Sequence, residues 1–522
     1  MSANNDWDGE ASQALKVLRE SFASGKTRSI EWRRKQLLAM KKMMVKERRV
    51  LEQFLWKDLH KSAFEAYIYE LNPVMHEIQQ CLDHLEEWST PEKKSTNLLN
   101  IPGESLIYKD PLGVILVAGA WNYPINLTFS PLVGAIAAGN CVMVKVPSSK
   151  YSSNSAAGMA KMIAKYLDPA CIKVIEGDRH AMNAVLKLRF DKIFFTGGSF
   201  VGKMVAAAAA KHLTPVVLEL GGKSPVILDS DVDLGVASKR IMWGAFINAG
   251  QTCIRCDYLM ADKRVLAKFV KTCERLLKQF YEGEAKKTEY FGRVINDRAF
   301  KRLAGLIDDA RRDPSAQVIG GKTDAADKYV EPTLVVYNSF SAFAESSLME
   351  NEIFGPLLPV VAYDHPDQAI EFIQKGEKPL VVHCFSRNKK LYKRVLHETS
   401  SGQACVNDCI TFMANHELPF GGVGLSGQGS YHGKATFDAF THQKSVLVKR
   451  FLGDAPQRYP PYSGKFQRAL LYVLQFPYAK AHSRIIRLAL YAVLFLLARK
   501  VGALDAVRGV FRAILQVGLR FI

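Results

Sequence analysis

The feature that most constrains the fold is a regular alternation of short apolar runs with longer segments of helical spacing, which begins at Val114. Strands that alternate with helices at this spacing pair in parallel and are joined by right-handed crossovers. The sequence therefore predicts an α/β fold built on a doubly wound sheet. The first four predicted strands are 114–117, 141–146, 172–175 and 193–195.

A second block of the same kind runs from residue 215 to about residue 415. It opens with the apolar run 216–220, and its later strands are 333–336, 357–362 and 381–385. Before the first block, residues 11–88 have the Leu, Met, Lys and Glu spacing of helices. With 48% hydrophobic residues, the chain of 522 residues has enough apolar material for several cores, which excludes a disordered protein.

A glycine-rich segment follows the strand 193–195 and leads into a helix. Gly197, Gly198 and Gly202 would let backbone N–H groups and the positive helix end approach a phosphate. The spacing is not Gly-x-Gly-x-x-Gly, so an ordinary strand-to-helix turn is an equal alternative. Lys145, at the end of another strand, could hold a ribose or a phosphate, although most strand-end lysines are simply solvated.

Two further side chains are candidates for chemistry. Cys253 follows a glycine-containing turn, but a thiol of ordinary pKa, about 8.5, is mostly protonated at neutral pH. A small buried apolar residue is therefore the usual role of such a cysteine. Glu219 is different, because a single carboxylate between apolar residues and a glycine pair must be paired or functional. We interpret it as a candidate general base.

Four motifs in this order make the pattern specific: Val-Leu-Glu-Leu-Gly-Gly-Lys-Ser-Pro at 217–225, Gly-Gln-Thr-Cys at 250–253, Asn-Glu-Ile-Phe-Gly-Pro at 351–356 and Pro-Phe-Gly-Gly-Val-Gly-Leu-Ser-Gly at 419–427. Over residues 11–450 the chain resembles the aldehyde dehydrogenase superfamily. The class 3 branch, which includes fatty aldehyde dehydrogenases, is indicated by Trp-Asn-Tyr-Pro, Lys-His-Leu-Thr-Pro and Ser-Tyr-His-Gly-Lys, at 121–124, 211–215 and 430–434.

The resemblance implies two doubly wound α/β domains, a small dimerisation element and a homodimer. With the tail discussed below, it divides the chain into five segments. They are a helical N-terminal segment with the NAD(P)-binding domain (1–215), a catalytic domain (216–417), a return segment with a dimerisation strand (418–450), a linker (451–478) and a helical, membrane-associating tail (479–522).

The resemblance also implies catalytic roles. Cys253 would attack the aldehyde carbon and form a thiohemiacetal, whose oxyanion its own backbone N–H and the Asn122 amide would hold. Hydride transfer to the cofactor would leave a thioester, and Glu219 would activate the water that hydrolyses it.

Cofactor residues follow from the same resemblance. Lys145 would lie near the adenosine ribose, and Glu352 and Phe354 near the nicotinamide ribose. The rest of the implied set is Gly197, Gly198, Gly202, Leu220 and Gly221. One departure concerns the cofactor itself: the family usually has Lys-Pro-Ser-Glu after this strand, whereas residues 145–150 read Lys-Val-Pro-Ser-Ser-Lys. Without the acidic partner for the ribose hydroxyls, we expect NAD but leave room for NADP.

The nine cysteines are scattered and odd in number, which indicates a reducing compartment. Residues 1–29 lack the basic start and apolar centre of a signal peptide, so we expect the body of the protein in the cytosol. Cys256 lies three residues after Cys253, and Cys405 lies four residues before Cys409. A zinc site or a redox disulfide is a minor alternative at these spacings, and we predict no metal. A milder hypothesis is a protective Cys253–Cys256 disulfide under oxidative stress.

The surplus charge is partly local. Of the formal +19, which is 70 Lys+Arg minus 51 Asp+Glu, residues 479–522 supply +7 through eight basic residues and one acid. The apolar run 488–498 would make a helix of about 16 Å, too short to cross a hydrocarbon core of about 30 Å. Polar side chains then recur every three or four residues, at Asp505, Arg508, Arg512, Gln516 and Arg520.

That pattern predicts an amphipathic helix lying in a membrane interface, and packing on the protein's own body or a dimer partner is the alternative. We expect attachment to the cytosolic face of the endoplasmic reticulum first, with the mitochondrial outer membrane, the peroxisome or lipid droplets as other possibilities. Aromatic residues do not alternate with the basic ones, so nucleic acid is not an expected partner.

These inferences predict a membrane-associated, NAD(P)-dependent oxidation of medium- to long-chain fatty aldehydes. A class 3-like dehydrogenase for aromatic or short-chain aldehydes is an alternative. So is a non-catalytic membrane scaffold that keeps the fold, although a scaffold has no need of Cys253, Glu219 and Asn122.

Overall fold

A computed structural model describes residues 6–97, 100, 102–148, 150–451, 454, 458–462 and 464–465. The predicted tail lies outside these residues, as does most of the predicted linker. Within them, no helix has both the length and the apolar character needed to span a bilayer. The described chain forms two compact units. The larger contains Lys109–His442 and the chain up to Ser89, and the smaller contains Thr90–Tyr108 and the described residues from Gln443 onward.

The described residues form seventeen α-helices. They are α1 (Trp7–Ala23), α2 (Ile30–Lys46), α3 (Arg48–Leu59), α4 (Ala63–Ala66), α5 (Asn72–Ser89), α6 (Asn126–Ala137), α7 (Ser153–Tyr166), α8 (Arg179–Leu186), α9 (Ser199–Ala210), α10 (Leu234–Phe246), α11 (Lys263–Phe280), α12 (Asp297–Arg312), α13 (Phe340–Glu345), α14 (Ser347–Glu350), α15 (Pro366–Lys375), α16 (Lys389–Glu398) and α17 (Lys434–Ala439).

The same residues form eighteen strands. They are β1 (Glu92–Lys94), β2 (Gly103–Pro111), β3 (Val114–Ala118), β4 (Cys141–Lys145), β5 (Ile172–Ile175), β6 (Lys192–Thr196), β7 (Val216–Glu219), β8 (Pro225–Leu228), β9 (Tyr258–Asp262), β10 (Ala316–Ile319), β11 (Thr323–Asp324), β12 (Tyr329–Val330), β13 (Thr333–Tyr337), β14 (Leu357–Tyr363), β15 (Val381–Phe385), β16 (Gln403–Val406), β17 (Gly427–Gln428) and β18 (Thr441–Lys449).

The first sheet of the larger unit has six strands in the order β17-β7-β6-β3-β4-β5. The five strands β3 to β7 run parallel, and β17 pairs antiparallel with β7. All residues of β3 and β4 are buried, as expected for parallel strands with helices on both faces. The four predicted strands of the first block are therefore confirmed.

The second sheet has seven strands in the order β10-β13-β14-β9-β8-β15-β16, parallel except for the β10–β13 pair. The predicted strands 333–336, 357–362 and 381–385 lie within β13, β14 and β15. The prediction that the apolar run 216–220 opens the second block is wrong. Val216–Glu219 pairs with β6 and belongs to the first sheet, so the chain changes sheets only after Glu219.

The return of the chain to the first sheet depends on a glycine. β17 pairs with β7 with Gly427 opposite Glu219, and Gly427 has a φ of 151°. A Cβ atom at Gly427 would overlap the carbonyl oxygen of Leu218, so the two strands approach closely only without a side chain here.

The smaller unit contains a three-stranded sheet in the order β1-β2-β18. β18 is an edge strand of this sheet, and most of its residues are exposed, including the apolar Leu447 and Val448. β18 lies at the end of residues 418–450, the segment predicted to contain a dimerisation strand.

The helices α1 to α5 confirm the predicted N-terminal helical segment, and they enclose a buried ion pair. Lys61 Nζ lies 2.5 Å from Glu70 Oε1, and both side chains are at most 1% exposed. The second Glu70 oxygen accepts hydrogen bonds from the N–H groups of Ile125 and Asn126, at the start of α6. One carboxylate thus neutralises a buried ammonium group and stabilises a helix N-terminus.

We expect Lys61→Met to lower the free energy of unfolding by about 3–5 kcal/mol, because it leaves the Glu70 charge buried and uncompensated. Urea denaturation at pH 7 measures this. The double variant Lys61→Met/Glu70→Gln should recover part of the loss. Lys263→Met, which breaks the exposed pair with Asp364, is the control and should change stability by less than about 1 kcal/mol. Equal effects at Lys61 and Lys263 would contradict the prediction.

Candidate active site

The loop that carries Cys253 is shaped by a left-handed turn. α10 ends at Phe246, and Asn248, Ala249 and Gly250 then have φ values of 53°, 51° and 70°. A Cβ atom at Gly250 would overlap the carbonyl oxygen of Gly355, so this position requires glycine. The turn packs at Gly250 against Gly355 and leads to Cys253, whose side chain is half-buried.

Asn122, for which the family resemblance implies the role of an oxyanion donor, lies against this loop. Its Nδ2 donates to the carbonyl oxygen of Gln251 at 3.1 Å. Its own carbonyl oxygen accepts from Asn248 Nδ2 at 2.9 Å and from Lys61 Nζ at 3.0 Å. The structure therefore brings Asn122 and the cysteine loop together and fixes the Asn122 backbone from two sides.

Sequence reasoning missed Lys61, Glu70 and Asn248 in this arrangement. Lys61 and Glu70 lie in a segment of helical spacing, where charged residues normally indicate a solvated face. Asn248 lies two residues before the Gly-Gln-Thr-Cys motif but has no feature that distinguishes it from other polar loop residues. No local signal in the sequence shows that Lys61 and Asn248 both donate to the backbone of Asn122, or that Glu70 pairs with Lys61.

Glu219 ends β7 and is 3% exposed. Among the described residues, neither of its carboxyl oxygens has a hydrogen-bond partner. Burial raises the pKa of Glu219 well above its ordinary value. A buried polar group without a structural partner is costly, which favours a chemical role for this side chain over a role in packing.

Glu352 is a second carboxyl group in the same region. Burial, followed by the charge of Asp257, raises the pKa of Glu352 to about 8. Its Oε2 lies so close to Gly221 that a Cβ atom there would overlap it, and its Oε1 has no partner within the described part of the chain. Nearby, the Phe354 ring meets the Trp121 ring edge-on, with centroids 5.5 Å apart.

A buried ionic network holds the loop that carries Glu352. Asp257 accepts from Arg255 at 2.6 Å, from Lys223 Nζ at 2.8 Å and from the Ile353 N–H at 3.1 Å. Lys223 also donates to the carbonyl oxygens of Leu348 and Asn351. These ionic and hydrogen-bonding contacts therefore fix the loop on both sides of Glu352. None of the three charged groups forms an ion pair with the Glu352 carboxyl group itself.

The thiol of Cys253 responds to both carboxyl groups. Burial, followed by the charges of Glu352 and Glu219, raises the pKa of Cys253 to about 12. Hydrogen bonds from the N–H groups of Cys253 and Ile254 act in the opposite direction. Thiol, amide and two carboxyl groups thus share one poorly solvated region.

The predicted phosphate turn lies at the start of α9. Gly198 is the residue before the helix, and Gly202 packs on Leu220, since a Cβ atom at Gly202 would lie 2.6 Å from Leu220 Cδ2. Thr196, at the end of β6, has a buried hydroxyl without a partner among the residues described. Gly197 follows it directly.

Lys145 lies at the carboxyl end of β4, where its Nζ donates to the carbonyl oxygens of Val146 and Gly177, both at 2.8 Å. Burial lowers the pKa of Lys145 to about 8. The carboxyl ends of parallel strands, a helix N-terminus, and the orphaned oxygens of Thr196 and Glu352 fit a dinucleotide cofactor. Ser149, part of the departure noted in the sequence, lies outside the described residues.

The thiol beside Cys256 is not the one that the sequence spacing suggests. The Cys256 sulfur lies 3.1 Å from that of Cys409. In the described part of the chain no cysteine forms a disulfide, and no group of three metal-ligating side chains is placed to hold a metal ion.

A cavity of about 420 Å³ lies beside α10 and the turn that leads to Cys253. Its lining is mainly aromatic and aliphatic, with three charged side chains. The lining residues are Glu65, Lys239, Arg240, Trp243, Ile247, Phe280, Tyr281 and Tyr290.

A cysteine loop in contact with an amide donor, buried carboxyl groups and a sheet edge suited to a dinucleotide together fit an aldehyde dehydrogenase. Residues 4–446 match the family described as "Aldehyde dehydrogenase family", and the chain belongs to this family. Enzymes of the family use NAD or NADP.

Individual relatives place the chain with the class 3 enzymes. It is 42% identical over 459 residues to the dog "Aldehyde dehydrogenase, dimeric NADP-preferring", covering 88% of this chain and 99% of the relative. It is also 42% identical over 451 residues to "Aldehyde dehydrogenase family 3 member A2" of Pongo abelii, covering 86% and 91%. The solved substrate-bound structure of Staphylococcus aureus AldH superposes with a TM-score of 0.84 at 37% identity, covering 88% and 99%.

We expect Glu352→Gln to speed alkylation of Cys253 at pH 9 but not at pH 7. The Glu352 charge raises the Cys253 pKa, and this charge is present only above the Glu352 pKa of about 8. A shift of half a pKa unit would change the rate about threefold. Iodoacetamide labelling followed by mass spectrometry of the Cys253 peptide measures this. Glu350→Gln, which changes an exposed carboxyl group on the same segment, is the control. If the ratio of the Glu352→Gln rate to the rate of the original chain is the same at pH 7 and pH 9, the coupling is disproved.

Proposed function

We propose that this enzyme oxidises medium- to long-chain fatty aldehydes to carboxylic acids, using NAD or NADP, at a membrane surface. The observation that carries the chemistry is the placement of Asn122 against the Cys253 loop, in a region with the unpartnered carboxyl group of Glu219.

Cys253 acts as the nucleophile once its thiol loses a proton. The N–H groups of Cys253 and Ile254 favour the thiolate, whereas burial and the carboxyl groups oppose it. Ionisation of the thiol is therefore easiest while both carboxyl groups remain neutral. Attack on the aldehyde carbon gives a thiohemiacetal with a negative oxygen.

Asn122 stabilises that oxygen. One N–H of its amide is occupied by the carbonyl oxygen of Gln251, and the amide has a second N–H to offer. Lys61 and Asn248 hold the Asn122 backbone, so the amide is preorganised. A donor of this kind is typically worth about 2.7–4 kcal/mol in the transition state.

When bound, NAD(P) supplies the hydride acceptor that converts the thiohemiacetal to a thioester on Cys253. The residues that would hold the cofactor are Lys145, Gly197, Gly198, Gly202, Leu220, Gly221, Glu352 and Phe354. Glu219 then takes a proton from the water that hydrolyses the thioester. Because its pKa is raised, Glu219 is a stronger base once ionised than an ordinary carboxylate.

The apolar lining of the 420 Å³ cavity supports a lipophilic aldehyde over a small polar one. Trp243 lies in the last turn of α10 and Ile247 directly follows the helix, just before the turn that leads to Cys253. Phe280, Tyr281 and Tyr290 supply aromatic surface. A saturated chain would bury apolar area against these side chains, at about 25 cal/mol per Å².

The membrane association rests on the sequence of residues 479–522. Lipophilic aldehydes partition into bilayers, and an amphipathic basic tail would hold the enzyme where they concentrate. We place the enzyme on the cytosolic face of the endoplasmic reticulum first. For a homodimer, the exposed edge strand β18 supports the proposal, as does the word dimeric in the name of the dog relative. Light scattering on the full chain measures the assembly.

We expect purified protein to reduce NAD or NADP with decanal and hexadecanal, followed at 340 nm, with higher kcat/KM than for acetaldehyde or benzaldehyde. Cys253→Ala should abolish turnover. Glu219→Gln should give a burst of one equivalent per site followed by a slow steady state, because thioester formation survives while hydrolysis loses its base.

Equal kcat/KM for hexadecanal and acetaldehyde would reject the fatty aldehyde substrate. Turnover that survives Cys253→Ala would reject the mechanism. Absence of any turnover with all four aldehydes would favour the non-catalytic scaffold.

We expect the full chain to float with vesicles containing phosphatidylserine but not with vesicles of phosphatidylcholine alone at physiological salt. Basic residues near an anionic surface contribute about 1 kcal/mol each. Full-length protein with Arg508, Arg512 and Arg520 changed to Glu should remain in the unbound fraction and keep its activity toward soluble decanal. Flotation of this variant equal to that of the original chain would reject the tail as the attachment site.

A further inference from the structure

Two thiols outside the proposed catalytic set lie in contact. The sulfurs of Cys256 and Cys409 are 3.1 Å apart, although the residues are 153 positions apart in the sequence. Both side chains are fully buried. Cys256 lies between the Cys253 loop and β9, and Cys409 lies three residues after the end of β16, so the contact joins the catalytic loop to a distant segment.

The surroundings are shaped to bring the two sulfurs together. They meet against Gly244 of α10, where a Cβ atom would lie 2.7 Å from Cys409 Cβ and 3.2 Å from each sulfur. Any side chain at this position would push the pair apart. The Cys256 N–H also donates to the carbonyl oxygen of Gly244, which holds Cys256 on the same face of the helix.

A third thiol, that of the half-buried Cys405, lies close to the pair. Burial chiefly raises the pKa of Cys405 to about 11, and Asp408 and Cys256 add to this. Burial also raises the pKa of Cys409, followed by the effects of Cys256 and Cys405. The Cys256–Cys409 contact is therefore part of a small thiol cluster with one partly exposed member. Beside it, Arg240 donates to the carbonyl oxygen of Asn407.

We propose that Cys256 and Cys409 form a reversible disulfide when a hydroperoxide oxidises this cluster. A disulfide requires sulfurs about 2.05 Å apart, so the pair has to close by about 1 Å. Disulfides of this kind in a reducing compartment are transient and serve redox sensing. Because Arg240 lines the 420 Å³ cavity and contacts Asn407, the bond would tie the segment at the cavity edge to the catalytic loop.

The reaction balances with the peroxide as the only oxidant. The thiolate of one cysteine attacks a peroxide oxygen and breaks the O–O bond, which gives a sulfenic acid and releases water, or an alcohol from an organic hydroperoxide. The sulfur of the second cysteine then attacks the sulfenic sulfur and displaces water. The two thiols together lose two electrons and two protons, and both pass to the peroxide oxygens.

The proposed Cys256–Cys409 disulfide and the Cys253–Cys256 disulfide suggested by sequence spacing exclude each other. Cys256 can join only one partner, and the structure places it beside Cys409. Cys253 would then remain outside the bond, and its oxidation would follow a separate course. The identity of the cross-linked peptides therefore distinguishes the two pairings.

The test is mass spectrometry of the full-length protein after hydrogen peroxide treatment, removal of peroxide with catalase and alkylation of free thiols in denaturant. We expect a peptide pair joined through Cys256 and Cys409, 2 Da lighter than the two separate thiol peptides, that dithiothreitol resolves. The pair should be absent in Cys409→Ala and present in Cys384→Ser, a control that removes a buried cysteine outside the cluster.

The proposal would be overturned if Cys256 and Cys409 are both recovered in alkylated form at peroxide doses that oxidise Cys253. A dominant Cys253–Cys256 or Cys405–Cys409 cross-link would overturn it as well. The experiment on the unaltered chain is decisive by itself if Cys409→Ala fails to fold. In that case Cys256→Ser serves as the second variant, and it too should lack the cross-linked pair.

Discussion

A buried charge is stable only when it is paired, and the partners of the buried Lys61 ammonium group connect it to the active site. It binds the Glu70 carboxylate and the carbonyl oxygen of Asn122. Glu70 in turn holds the first N–H groups of α6. The N-terminal helices, the start of α6 and the cysteine loop therefore share one buried polar network, whose members stabilise one another because none has access to solvent.

The second network, Arg255 with Asp257 and Lys223, does the same for the loop before β14. In the described residues, by contrast, both carboxyl oxygens of Glu219 and the Oε1 of Glu352 have no hydrogen-bond partner, and burial raises the pKa of Glu219, Glu352 and Cys253. The contrast assigns different tasks to the ionisable groups of this region. Paired charges fix the backbone, and the groups left without an opposite charge remain available for proton transfer and nucleophilic attack.

Strand positions could be predicted because β3, β4 and β13 to β15 are short continuous apolar runs between helices. The sheet to which β7 belongs could not be predicted, because an apolar run does not specify the strand with which it pairs. Among the site residues, Cys253, Glu219 and Asn122 are contained in motifs. Lys61 and Glu70 are not, because a helical segment rich in charge has the same pattern whether a given charge faces solvent or the interior. The Cys256–Cys409 contact depends on tertiary structure across 153 residues, which spacing alone does not encode.

The pairing of β17 with β7 has a consequence for the order of events during synthesis. Glu219 is opposite Gly427, so the strand that presents this carboxyl group gains its outer neighbour only after a further 208 residues have been made. At about 5–20 residues per second, that interval lasts roughly 10–40 s. The reactive thiol of Cys253, made 34 residues after Glu219, spends most of this time in a nascent chain whose first sheet still lacks β17.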